Sequence, residues 1–309
     1  DGTAFHHGGH YPAYSVPGLS YVGRYLQCVN RTQFTLNQEA FAVLKFALLS
    51  LSRQTNLRDW GIGVSGRHPF NGSINKNGIL TYAYAAMVPA ETDRELAGEY
   101  LRLMEGMRKY SLDNSLINQF KKEGISLNPY PKGFYAYNYA SLGIYRYNKK
   151  MVAMKGFTQN VWGCEIYVRD NRFGRYQSYG SLQIIGTPVA EAQYKEYPIT
   201  EEASGYSEAG WDWNRNPGTT SIYLPLERLN SPIAGSDMLR QPYTFAGASQ
   251  LNEGEFGMFA MKLGERDREN FTPSFNAHKS FFAFGNRIIA LGTAIRNNNS
   301  DYPTETTLF

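Results

Sequence analysis

The hydrophobic pattern of the chain changes at residues 128–133, which read NPYPKG. Two prolines and a glycine this close together interrupt regular structure, so the segment predicts a domain boundary. Before it, over residues 17–124, apolar residues recur at spacings of three and four, as in Leu19, Val22 and Leu26. That spacing is typical of amphipathic helices. The amino-terminal part is therefore predicted to form antiparallel helix pairs.

Two segments of this part have the spacing of a capping box, in which Thr or Ser at a helix start is followed three residues later by Glu or Gln. One is Thr35 with Gln38, and the other is Thr92 with Glu95. We expect a helix to begin at each of them.

After the boundary, short runs rich in aromatic and β-branched residues alternate with turn residues, as strands do. The clearest runs are 144–147, 151–154, 181–185, 221–224 and 256–263. Residues 280–291 predict a hairpin, because Gly285-Asn286 separates two strand-like runs. Successive strands without intervening helices indicate a β-sandwich. The predicted fold class is α+β, with helix hairpins followed by an antiparallel β-sandwich.

The composition limits the class of protein. The chain has 309 residues, of which 42% are hydrophobic and 19% charged, a globular profile long enough for two domains. Its net charge of +4 comes without a basic stripe, which argues against duplex DNA as a partner but suits a polyanionic substrate. Cys28 and Cys164 lie outside any CxxC spacing, which excludes a zinc ribbon or a disulfide-dense fold.

The first candidate site is the segment 6–14, which reads HHGGHYPAY. Three histidines in five residues suggest a metal site, but Gly8, Gly9 and Pro12 oppose the helix that would align them. No carboxylate lies nearby in the sequence to complete a set of ligands. The sequence therefore predicts no metal here, and leaves either solvated histidines or a His–Tyr pair acting in a cleft.

Three further segments carry side chains suited to an anionic sugar. Residues 65–70 present Arg67 on a Gly-flanked loop, either as a binding group or as an exposed arginine. Within residues 160–177, Glu165 either points inward to a cationic partner or outward from an edge strand. Residues 210–220 combine two Trp with Asn and Arg, a set that suits sugar stacking and anion binding, although either Trp could equally belong to the core.

Taken in this order, the segments resemble the broad-specificity chondroitin lyases, the ABC type within polysaccharide lyase family eight. The matching stretches are 1–14, 66–71, 160–177 and 211–220, and the ending 305–309 is also similar. The Asn-Gly-Glu-Asn motif of the narrower chondroitin and hyaluronan lyases does not occur here, which favours the broad branch.

The resemblance implies that residues 1–125 are the carboxyl-terminal part of an α/α-toroid catalytic domain, and that residues 126–309 begin an antiparallel β-sandwich domain. The family's earlier helices, its amino-terminal module and its later strands would lie outside this sequence. It also implies a secreted or periplasmic protein that binds an anionic glycosaminoglycan. We expect a monomer that has no membrane span and does not bind nucleic acid.

The catalytic residues implied by motif position are His7, Tyr14, Arg67 and Glu165, with Glu165 contributed by the β domain. The implied substrate-binding residues are His6, His68, Asn71, Trp211, Trp213, Asn214 and Arg215. His6 stands where some relatives have Arg, which bears on the sulfation preference.

The implied reaction is β-elimination of a uronate-containing polysaccharide. His7 and Arg67 would neutralise the uronate carboxylate as negative charge develops. Tyr14 would remove the adjacent proton and then protonate the leaving oxygen, which requires positive charge beside the phenol. Glu165 would hold Arg67 through a charge-assisted pair. The chemistry requires no cofactor, and a structural Ca²⁺ or Mg²⁺ is left open.

Two other functions remain as alternatives. One is a non-catalytic carbohydrate-binding module. The other is a glycoside hydrolase, which needs a pair of carboxylates. Glu165 is the only well-placed acid in the candidate segments, with Asp212 a poor second, so this alternative ranks low.

Overall fold

The computed structural model describes residues 1–69, 72–107, 114–167, 171–186, 211–231 and 236–308. Its first part is helical, as predicted. A small hairpin of β1 and β2 comes first, followed by five helices: β1 (Phe5–His6), β2 (Gly9–His10), α1 (Pro12–Val29), α2 (Gln38–Arg53), α3 (Lys76–Ala86), α4 (Arg94–Met104) and α5 (Asn114–Lys122). Among the described helices, none has the length and apolar character needed to cross a membrane.

The helix starts differ from the predicted capping boxes. The side chain of Asn37 accepts a hydrogen bond from the Ala40 N–H at 2.8 Å and so caps α2. Asp93 caps α4 in the same way through the Leu96 N–H. The predicted starts at Thr35 and Thr92 are therefore wrong, because a better placed Asn or Asp follows each threonine.

Helix α1 also begins earlier than the apolar spacing indicated, at Pro12. Proline is well tolerated at the first position of a helix, where its missing N–H would have no partner within the helix. The same residue that argued against a helix over residues 6–14 is thus the first residue of one.

The second part is built of antiparallel strands. These are β3 (Gly133–Tyr137), β4 (Leu142–Tyr147), β5 (Lys150–Lys155), β6 (Glu165–Tyr167), β7 (Ser181–Ile185), β8 (Thr220–Ile222), β9 (Ser236–Met238), β10 (Ala246–Leu251), β11 (Phe256–Gly264), β12 (Asn276–Phe284), β13 (Arg287–Arg296) and β14 (Thr304–Thr306), with one helical turn, α6 (Leu226–Leu229). The predicted hairpin is confirmed, since Phe284 pairs with Arg287 across Gly285-Asn286. Strand β8 is shorter than the predicted run 221–224.

Two four-stranded sheets dominate, with strand orders β3-β4-β5-β7 and β10-β11-β12-β13. The first sheet lies between the helices and the second sheet. Its alternate side chains point to opposite faces, as the pleat requires. Leu142 and Ile144 of β4 pack into a core shared with the helices, whereas Tyr145 packs into the core of the β part. The helical part and the β part are thus joined through one shared central sheet.

The described elements change from helix to strand between Lys122 and Gly133. The NPYPKG segment lies within this interval. The boundary between residues 125 and 126 remains a prediction.

Candidate active site

The histidine segment forms a tight hairpin that lies against the β part. β1 and β2 pair His6 with Gly9, which places His7 at the turn with a left-handed φ of 59°. Histidine enters that region more readily than most residues. Gly8 is required next to it, because a Cβ at this position would lie 2.6 Å from a ring carbon of Trp162. The backbone N–H of Trp162 donates a hydrogen bond to the Gly8 carbonyl at 2.9 Å, which fixes the hairpin in place.

Tyr14 lies in the first turn of α1 and is half-buried. The His6 ring stacks on the Tyr14 ring, with 3.8 Å between their centroids and 10° between their planes. The guanidinium of Arg67 lies 5.3 Å from the centre of the Tyr14 ring. The phenol thus has an imidazole against its face and a cation close to its ring.

Glu165 is the first residue of β6, and its side chain is 1% exposed. Its Oε2 accepts hydrogen bonds from Arg67 Nη2 at 2.7 Å and from Arg67 Nε at 3.1 Å. Its Oε1 lies 3.2 Å from His7 Nδ1. Glu165 therefore points inward to a cationic partner, Arg67, and the alternative of an outward-facing glutamate is wrong.

A set of buried amides holds the Arg67 loop against the segment that carries Glu165. Asn171 Nδ2 donates to the backbone oxygens of Glu165 and Gly66, and Asn171 Oδ1 accepts from the Tyr167 N–H at 2.7 Å. Gln177 Nε2 also donates to the Gly66 oxygen. These roles of Asn171 and Gln177 were not predicted from the sequence. The signal that could have indicated them is the presence of amide side chains within the matching stretch 160–177.

The histidines differ sharply in environment. His10 is buried, with its ring nitrogens bonded to the Ala4 oxygen and to Gln54 Oε1, and burial lowers its pKa to about 4. Burial also lowers the pKa of His6, with the neighbouring His7 acting in the same direction. His10 is therefore a neutral structural group, whereas His6 is half-buried and His7 is exposed.

The donor set at the hairpin is richer than the sequence indicated. Donor atoms of His6, His7 and Glu165 all lie within 4.8 Å of one another. No carboxylate lies near the histidines along the sequence, but β6 brings Glu165 to them from the β part. Within the part of the chain that the structure describes, these three residues could hold a metal ion.

The remaining predicted substrate residues lie in several environments. His68 follows Arg67 on the same loop and is exposed. Asn71 lies outside the described residues. Trp211 is half-buried and, with Asp212 and Tyr223, lines a cleft of about 350 Å³.

Two predicted sugar contacts are core residues. Trp213 is 1% exposed and packs edge-on against Phe173, so no face of its ring is open to a sugar. The Asn214 side chain bonds the N–H and the carbonyl of Leu224, both at 2.9 Å. The prediction that these two side chains contact substrate is therefore wrong. Trp213 is packed in the core, and the amide of Asn214 is hydrogen-bonded to the backbone of Leu224.

Arg215 remains exposed, and its guanidinium engages Asp212 and Glu305 at 2.9 and 2.8 Å. These partners belong to its own segment and to β14. The structure thus brings together His6, His7, Tyr14, Arg67 and Glu165. The contacts described above for Trp213, Asn214 and Arg215 are with other residues, outside this group.

Both parts of the chain match models of known protein families. Residues 132–308 match the super-sandwich domain of polysaccharide lyase family 8, and residues 1–110 match the catalytic domain described as "Lyase, catalytic". The chain belongs to polysaccharide lyase family 8. The resemblance inferred from the sequence motifs is thereby confirmed.

Curated relatives of this family 8 chain include chondroitin sulfate ABC lyases. It is 37% identical over 311 residues to the chondroitin sulfate ABC endolyase of Proteus vulgaris, and 34% identical over 337 residues to the ABC exolyase of Bacteroides thetaiotaomicron. Both alignments cover 100% of this chain, but 29% and 32% of the relatives. The chain thus spans about a third of the length of the curated relatives it matches.

Solved structures show the same fold. Paenibacillus xanthan lyase superposes with a TM-score of 0.75 at 16% identity, over 99% of this chain and 28% of the other. The chondroitin AC lyase of Streptomyces coelicolor A3, solved with chondroitin sulphate, gives 0.72 at 15% identity over 99% and 42%. The α+β fold class, a partial toroid followed by an antiparallel sandwich, is therefore confirmed for this family 8 chain.

Proposed function

We propose that this chain carries the catalytic residues of a glycosaminoglycan lyase that cleaves by β-elimination. The observation that carries the proposal is the convergence of Tyr14, His7 and Arg67 around the buried carboxylate of Glu165. The curated relatives are named chondroitin sulfate ABC lyases, which supports a lyase that acts on chondroitin sulfate, and we propose dermatan sulfate and hyaluronan as further substrates. We place the enzyme outside the cytoplasm, secreted or periplasmic, where such polymers are met.

In the proposed first step, His7 and Arg67 bind the carboxylate of a uronate residue. Only two donors of the Arg67 guanidinium are engaged by Glu165, and arginine has five. The remaining donors can face the substrate, because the Arg67 side chain is 19% exposed. Neutralising the carboxylate lowers the energy of the enolate-like state that follows.

Tyr14 then takes the proton from the carbon beside the carboxylate. The C–H electron pair forms a carbon–carbon double bond, and the bond to the neighbouring glycosidic oxygen breaks. The same phenol returns the proton to the leaving oxygen, so no water is consumed. Tyr14 begins and ends this cycle as the phenolate, a form that the positive charge of Arg67, 5.3 Å from the ring, favours.

Glu165 is proposed as a positioning residue. It is bound to Arg67 and lies beside His7, so it holds the two carboxylate-binding groups at a fixed separation. The reaction needs no cofactor in this scheme. A structural Ca²⁺ or Mg²⁺ remains compatible with it.

The test is the variant Tyr14→Phe, which keeps the ring and its stacking on His6 but removes the hydroxyl. Turnover of chondroitin sulfate, dermatan sulfate and hyaluronan is followed by the near-ultraviolet absorbance of unsaturated uronate ends. Losing the acid–base group should reduce kcat by about 100- to 10,000-fold. Binding of oligosaccharide should persist.

The matched control is Tyr21→Phe, the same change at a 69%-exposed tyrosine of the same helix, which should leave turnover unchanged. Unaltered turnover in Tyr14→Phe would overturn the proposed base. Hydrated products from the unaltered chain would overturn elimination as the reaction. Sugar binding without turnover in the unaltered chain would favour the carbohydrate-binding alternative.

A further inference from the structure

We propose that His6, His7 and Glu165 form a binding site for a divalent transition metal such as Zn²⁺, and that an ion bound there blocks the cleft. The binding site follows from the donor atoms alone. Its inhibitory effect rests on the proposed lyase function.

The geometry fits a small tetrahedral ion. His7 Nδ1 and Glu165 Oε1 lie 3.2 Å apart. Two ligands bound at about 2.0–2.2 Å to a tetrahedral Zn²⁺ are separated by about 3.3 Å, so this pair already has the required spacing. One ligand atom of His6 joins one of His7 and one of Glu165 in a group whose members all lie within 4.8 Å of one another. Because His6 is only half-buried, a rotation of its ring can close the remaining gap.

The chemistry of the donors selects the kind of metal. Two imidazoles and one carboxylate are the protein ligands of open zinc sites, which leave a fourth position to water or substrate. Imidazole nitrogen favours Zn²⁺ and Cu²⁺ over Ca²⁺ and Mg²⁺, which prefer oxygen donors. The His7 side chain is 46% exposed, so an ion can enter from solution and keep a water in the fourth position.

His7 and Glu165 are held in place by neighbours that do not compete for the metal. The Trp162 ring lies 5.9 Å from that of His7. Arg67 binds Glu165 through Oε2, which leaves Oε1 for the ion. Hydrogen bonds to a ligating carboxylate of this kind fix its orientation. The positive charge of Arg67 opposes the bound cation, so binding should be reversible.

An ion in this site would engage two of the groups on which the proposed mechanism depends, His7 and Glu165. His7 could no longer bind the uronate carboxylate, and Glu165 would be shared between Arg67 and the metal. Zn²⁺ and an acidic substrate would therefore exclude each other.

The experiment titrates the full chain with Zn²⁺ against a chromophoric chelator, and with Co²⁺, whose visible absorption reports tetrahedral coordination. We expect one ion per chain. His6→Gln should weaken binding by at least about tenfold, because losing even a group that only orients a ligand costs about 10- to 100-fold in affinity. Glu165→Gln should also weaken it. His278→Gln, which removes an exposed imidazole on β12, is the matched control and should change nothing.

The outcomes separate the metal site from the proposed function. Absence of binding, or equal affinity in His6→Gln and the unaltered chain, would overturn the site, and His6 is exposed enough that its variant should fold. Binding in a chain that performs no elimination would support the site and overturn the lyase proposal. A lyase whose turnover is unchanged at saturating Zn²⁺ would overturn the inhibitory effect alone.

Discussion

Replacing Glu165 by glutamine should impair catalysis far more than it impairs folding. The amide keeps the size of the side chain but removes the negative charge of Glu165, which lies beside both Arg67 and His7. Hydrogen bonds to a charged group contribute about 1.5–3 kcal/mol each, and neutral ones about 0.5–1.5 kcal/mol. For the two bonds at 2.7 and 3.1 Å, the difference is about 2 kcal/mol. Because the Arg67 side chain is 19% exposed, water recovers part of it, which leaves a loss of about 1–2 kcal/mol.

The catalytic loss should be larger, because Arg67 acts only in a defined position. A displacement of about 1 Å in a positioning group can reduce a rate by about 100-fold, and we expect a fall of this order in kcat. The assay combines denaturant unfolding with initial rates of unsaturated uronate formation over a range of substrate concentrations.

The matched control is Glu99→Gln on α4. Glu99 is also a buried carboxylate bound to an arginine, since Arg102 Nε donates to it at 3.1 Å. This variant should lose stability without losing kcat/KM in its folded fraction. Our reasoning is refuted if Glu165→Gln retains the kcat of the unaltered chain, or if Glu99→Gln loses kcat to the same extent.

Three further changes test the supports of the site. Gly8→Ala should destabilise the chain by about 1–3 kcal/mol and lower turnover, because the new methyl group meets the rigid Trp162 ring. An unchanged denaturant midpoint would contradict the close approach of residue 8 to that ring. Asn171→Ala leaves the Tyr167 N–H without its acceptor, and should cost about 1–3 kcal/mol in unfolding free energy together with a fall in kcat. His10 affects the pH dependence of stability, since burial lowers its pKa from 6.5 to about 4. Between these values the unfolded chain binds a proton that the folded chain does not, so stability should fall as pH decreases through this window, by up to about 3 kcal/mol. Denaturant midpoints measured from pH 7 to pH 4 should show a shallower slope in His10→Gln, and an identical slope would disprove the assignment.

Much of the fold could be predicted from local patterns. Apolar spacing identified the helices, and Gly285-Asn286 identified the β12–β13 hairpin, because both signals depend on neighbouring residues only. Helix starts were less predictable, since several capping residues compete within a few positions. Asn37 caps α2 and Asp93 caps α4. Thr35 and Thr92, which lie two residues and one residue before these caps, have the capping-box spacing instead.

The candidate site was predictable in its residues but not in its geometry. Residue type and family resemblance indicated Arg67 and Glu165, which are 98 positions apart in the chain. No local signal shows that β6 lies beside the Arg67 loop, because their docking depends on the amides of Asn171 and Gln177. The failure at Trp213 has the same origin, since a tryptophan in a loop gives no sign of whether the core lies beneath it.

The shared central sheet limits how this protein can recombine with its homologues. Leu142 and Tyr145 lie on one strand but belong to two different cores. A crossover placed in the NPYPKG segment would pair the helices of one parent with the sheet of another, so two sets of packing partners would have to match at once. Viable chimeras should therefore inherit the helices and strands β3, β4, β5 and β7 from a single parent.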